Sequence, residues 1–72
     1  MTRTQIRLDT LSDIHQFVND MTLLQEKVWL EDGSGARVSA SSLLGCLYSM
    51  EWTRIYCVCE RDINAYIMPW IV

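Results

Sequence analysis

His15 is the only histidine in a chain of 72 residues, and Cys46, Cys57 and Cys59 are its only thiols. An imidazole titrates near neutral pH, so it can act as a general base or a phosphate acceptor. No nucleophile or second carboxylate accompanies His15 at a catalytic spacing. It therefore reads as a solvated residue on the polar face of a helix, beside Ile14 and away from Phe17 and Met21. Cys57-Val58-Cys59 sits in an apparent strand, where residues i and i+2 share a face. Their Cα atoms would lie about 6.6 Å apart, near the upper limit for a bridge. A zinc site needs four ligands, and only Cys46 and His15 remain as further soft donors. The thiols therefore read as small apolar core residues, with no metal or cofactor expected.

The elements that must position these groups follow from hydrophobic spacing. Thr4 to Asp9 alternates polar and apolar with a period of two, which predicts a half-buried strand. Thr10 and Asp13 then have the spacing of a capping box, with Ser12 a rival N-cap. Ile14, Phe17, Val18 and Met21 recur at i, i+3, i+4 and i+7, one apolar stripe of a first helix. Lys27 to Glu31 and Ala36 to Ala40 predict two strands joined at Asp32-Gly33-Ser34-Gly35, where glycine supplies the positive φ of a tight turn. Ser41 and Ser42 open a second helix, Leu43 to Met50, because a serine hydroxyl accepts from the free N–H groups of a first turn. Leu43, Leu44 and Leu47 form its stripe. Gly45 within it predicts a close approach to a neighbour. Arg54 to Cys59 is a fourth strand, and Asp62 caps a short helix, Ile63 to Met68, distorted by Pro69.

The order is β-α-β-β-α-β-α, which predicts a two-layer α+β sandwich over residues 1–72 as one domain. A ferredoxin-like domain shares the first six elements. The expected core is Ile6, Leu8, Phe17, Val18, Met21, Val28, Leu30, Val38, Leu44, Leu47, Ile55 and Cys57.

Ser39-Ala40-Ser41-Ser42-Leu43-Leu44-Gly45-Cys46-Leu47 resembles the stretch around the regulatory serine of the HPr family, the phosphocarriers of the bacterial sugar phosphotransferase system, and its paralogue Crh. Leu30-Glu31-Asp32-Gly33 is similar to the family's strand and turn, and Gln16-Phe17-Val18-Asn19-Asp20 to its first helix. The resemblance implies an open-faced sandwich with a four-stranded antiparallel sheet of order 1-4-2-3 and a shortened last helix. A ferredoxin-like sheet would run 4-1-3-2 instead. It further implies that Ser42 is a regulatory phosphosite and that Ser42, Leu43 and Leu47, with Tyr48 at the edge, form a partner surface.

The departures from the family decide the expected activity. Aligned on Gln16-Phe17-Val18, the family's phosphate-carrying histidine falls on Thr10, its arginine on Ser12 and its proline on Asp13. A threonine ester would not hand phosphate onward as a phosphoramidate does, and no guanidinium fork stands ready to hold the group. The expectation is a non-catalytic regulatory or protein-interaction module, not an enzyme. The alternatives are a phosphocarrier with a changed acceptor, or a ferredoxin-like domain that binds a small molecule or subunit.

Composition bounds the partners. The net charge is −3, and Arg3, Arg7, Lys27, Arg37, Arg54 and Arg61 are scattered, which disfavours nucleic acid. No apolar run approaches the ~20 residues of a membrane span. The first residues hold one positive charge and no apolar h-region, so no signal peptide and a cytoplasmic location are expected. Met68-Pro69-Trp70-Ile71-Val72 is apolar: tucked onto the sheet it is core, and exposed it is a route to weak self-association.

Overall fold

The computed structural model describes residues 1–72. Its elements are β1 (Thr2–Ile6), α1 (Leu11–Leu24), β2 (Val28–Glu31), β3 (Arg37–Ser39), α2 (Leu43–Ser49), β4 (Ile55–Cys59) and α3 (Asn64–Ile67), followed by a 3-10 turn at Met68–Trp70. The strands form one antiparallel sheet in the order β1-β4-β2-β3. That order is not the 4-1-3-2 of a ferredoxin-like sheet. β1 ends at Ile6, three residues earlier than the alternation predicts. The chain turns off there because the Arg7 N–H donates to the Trp70 carbonyl at 2.8 Å and the Asp9 N–H to Asp13 Oδ2 at 3.2 Å.

Thr10 is the N-cap of α1: its backbone is extended, and Oγ1 accepts from the Asp13 N–H at 3.1 Å. The expected capping box is thus half formed, since Asp13 reaches back to Asp9 rather than to Thr10. Ser12 lies inside the first turn. The α1 stripe places Ile14, Phe17 and Met21 in full burial against Ile6, Val28, Leu30, Ile55 and Cys57 of the sheet. Ile63, Ile67 and Trp70 complete this core from the last turns. The Trp70 ring meets Phe17 edge-on, with centroids 5.2 Å apart.

The apolar last segment is therefore tucked. Ile71 pairs with Ile6, and the Val72 N–H donates to the Gln5 carbonyl at 3.2 Å. This covers the outer edge of β1, where unpaired N–H and C=O groups would otherwise invite another chain. Met68 and Val72 stay exposed.

One core expectation is corrected. Leu44 is 80% exposed. The inward face of α2 belongs to Cys46 and Ser49, both fully buried, and at about 100° per residue Leu44 lies on the far side of the helix from Cys46. Ser49 tolerates burial because its hydroxyl donates to the Cys46 carbonyl at 2.6 Å. Val18, Val38 and Leu47 are half-buried and pack on the margin of the core. Gly45 explains how α2 comes so near the sheet: a Cβ there would stand 3.0 Å from Val38 Cβ. Any side chain at position 45 would push helix and strand apart.

All three thiols are buried and free. Desolvation pushes Cys46 up to about 11 and Cys57 up to about 12, the latter helped by the neighbouring Cys59 and Cys46. A thiol whose acidity is suppressed only in the folded state stabilises folding below its unfolded pKa, and that contribution is lost as pH rises toward the folded value. We therefore expect the melting temperature to fall between about pH 9 and pH 11, as Cys46 and Cys57 ionise in the unfolded chain but not in the fold. A melting temperature flat from pH 8 to about 11 would contradict the buried placement. No group of three or more His, Cys, Asp or Glu side chains comes together in a way that could hold a metal ion.

Candidate functional site

The surface of α2 is built from its cap upward. Ser42 is half-buried, its backbone is extended, and Oγ accepts from the Gly45 N–H at 3.2 Å. Its hydroxyl thus holds the first turn of a helix only seven residues long. Ser39 and Ser41 share a separate hydroxyl contact at 3.0 Å. Because Cys46 and Ser49 face inward, the outward face carries Leu44 and Tyr48, one turn apart and both largely exposed. Leu43 is exposed at the margin, and Leu47 is held partly in the core. Of the partner surface expected from sequence, Tyr48 stands out to solvent, Leu43 borders it and Leu47 contributes little. Leu44, assigned to the core, takes the central place.

Tyr48 packs edge-on against Trp52, with centroids 6.3 Å apart. Trp52 in turn lines a cleft of about 290 Å³ between the loop after β1 and the loop before β4. Ile6, Leu8 and Ile55 lie at its floor, all buried, while Arg7, Thr53 and Arg54 stand at its rim. The apolar face of α2 and this cleft are therefore one continuous surface, joined by the Tyr48–Trp52 pair.

Thr10, the position aligned with the family's active histidine, is exposed, and its oxygen is engaged as the α1 cap. His15 is exposed on α1, as the polar-face reading has it.

Sequence spacing missed the uncovered face of the sheet. Arg3 and Arg37, far apart in the chain, both pair with Glu31 on β2, Arg3 at 3.4 Å. The Arg3 guanidinium lies 4.0 Å from the centre of the Tyr56 ring, and that of Arg37 lies 5.2 Å from Trp29. The Arg37 hydrogen bond first, helped by the charges of Arg37 and Arg3, holds the Glu31 carboxyl below its usual range against an opposing desolvation. Asp32 is lowered as well, first by the Ser34 N–H and hydroxyl, in the turn where Gly33 and Gly35 take positive φ. The signal that could have found the pairing is the register: Glu31 lies opposite both Arg37 and Tyr56. Arg7 pairs with Asp9 at 3.2 Å and Arg61 with Glu26 at 3.6 Å, which leaves Arg54 as the arginine without a carboxylate.

Comparison with family models, with curated proteins and with solved structures finds no match to this chain. No helix is long and apolar enough to cross a membrane.

Proposed function

We propose that the chain is an HPr-like, non-catalytic module that acts in regulation or protein interaction, related to the sugar phosphotransferase system. The observation that carries this reading is an antiparallel sheet of order β1-β4-β2-β3 whose second helix turns Leu44 and Tyr48 to solvent. Two large apolar side chains on one outward turn lose hydration when a partner covers them, at roughly 25 cal/mol per Å². The family is proposed from the residues quoted above for the resemblance, and a shortened last helix is part of that proposal.

The same reading makes the chain incapable of carrying phosphate. Thr10 caps a helix where the family keeps its imidazole, and Asp13 beside it would repel a phosphoryl group. Incubation with phosphoenolpyruvate and the general phosphotransferase enzyme should label neither residue. Acid-labile phosphohistidine at His15 would identify a phosphocarrier with a changed acceptor instead.

The interaction half is tested at Leu44. Leu44→Ser should leave stability within about 0.5 kcal/mol, as exposed positions do. Leu47→Ser, half in the core, should cost more. The Leu44→Ser variant should lose a protein that the parent captures from its native lysate. An unchanged partner list would mean that the α2 surface is inert and would sink the proposal.

A further inference from the structure

None of the six Lys and Arg residues lies on a helix. The carboxylates that pair with a cation, Asp9, Glu26 and Glu31, lie outside the helices too. The helices are left with two carboxylates, Asp13 and Asp20, and one base, His15. Asp13 turns back to the Asp9 N–H. Asp20 instead borders a groove of about 290 Å³ between α1 and α3, whose other walls are Leu23, Leu24 and Tyr66. Asp20 and Leu24 are half-buried, while Leu23 is 73% and Tyr66 60% exposed. Lys27 and Arg61 stand on the adjoining loops, but neither lines the groove, and Arg61 is drawn to Glu26 at 3.6 Å. His15 does not line it either. The groove therefore sets one negative charge, in no ion pair, beside three apolar walls.

We propose that this groove receives a lysine side chain presented by a partner protein. The ammonium meets Asp20, and the methylene stem lies along Leu23, Leu24 and Tyr66, as lysine stems do on apolar surfaces. Charge decides for a cation, and the apolar walls ask for one on a long hydrocarbon stem. Lysine fits better than arginine because Asp20 Oδ1 already accepts from the Gln16 amide at 2.9 Å. One oxygen is left free, which suits a point charge and not the two-pronged guanidinium fork. Four side chains line the groove, so it lies open to solvent and cannot enclose a free small molecule as ligand cavities do. A side chain already held by its own backbone loses less freedom on entering it. The site lies apart from the outward face of α2 and does not rest on the family reading.

The test is a titration of the full chain, followed by ¹H–¹⁵N spectra, with a short capped peptide of leucine and alanine around one central lysine. The same peptide with arginine, acetyl-lysine or norleucine at the centre, and free butylamine, serve as comparisons. The lysine peptide should shift the Asp20, Leu23, Leu24 and Tyr66 amides saturably and bind more tightly than each comparison. Asp20→Asn should weaken the lysine peptide about fivefold, the scale of one ion pair in reach of solvent, and leave the norleucine peptide unaffected. Its melt should match the parent's, because an asparagine oxygen can still accept from Gln16. Leu23→Ser, at an exposed position, should weaken both peptides without loss of stability. No saturable shift, shifts centred elsewhere, or unchanged affinity in Asp20→Asn would overturn the proposal. So would equal binding of the norleucine or acetyl-lysine peptide, since charge would then play no part. Tighter binding of the arginine peptide, or of butylamine, would overturn the choice of a presented lysine as the occupant.

Discussion

Phe17→Ala should leave most of the chain unfolded at room temperature. Phe17 is fully buried at the centre of the α1 stripe and meets the Trp70 ring edge-on at 5.2 Å. Removing a buried phenyl group costs about 3–5 kcal/mol through lost transfer energy and the cavity left behind. A single core in a chain this short supplies roughly that much in total. A circular-dichroism melt of the variant should therefore show little or no cooperative transition. A melt matching the parent would mean that α1 does not present this face to the sheet.

Trp70→Ala is the second large effect, expected at up to about 3–5 kcal/mol and read as a lost or strongly lowered melting transition. Trp70 is 6% exposed, and its carbonyl accepts from Arg7. Without the ring, only backbone hydrogen bonds hold the segment that pairs Ile71 with Ile6, so the cover over the outer edge of β1 loosens. The variant should also self-associate as concentration rises, which sedimentation would detect. A Trp70→Ala chain as stable and as monomeric as the parent would place the last segment off the sheet.

Acid should weaken the fold from the opposite side to alkali. Glu31 and Asp32 are both held below their ordinary values, so the stability they add is present above about pH 4.5 and is lost as pH falls through the folded values. Both groups are half-buried and in reach of solvent, so the acid effect should be small beside the alkaline one and should shrink further in salt.

The order of the elements, the N-caps at Thr10 and Ser42 and the apolar stripe of α1 were legible in the sequence, because each rests on neighbours within one turn or one strand. Gly45 was legible too, since a glycine inside a helix has few uses other than close approach. The direction in which α2 faces was not. Leu43, Leu44 and Leu47 offer a plausible apolar stripe, but the helix buries Cys46 and Ser49 instead, and Leu44 is left to solvent. That rotation is set by contact with Val38 and by a serine able to satisfy its hydroxyl within its own turn. The cleft at Trp52 and the Arg3–Glu31–Arg37 set are likewise products of the strand register, which brings together residues dozens of positions apart. Periodicity and capping act over a few residues and can be read from the chain alone. The rotation of a helix on a sheet, and the pairing of charges across strands, depend on which distant surfaces fill the space between them, and only the tertiary structure decides that.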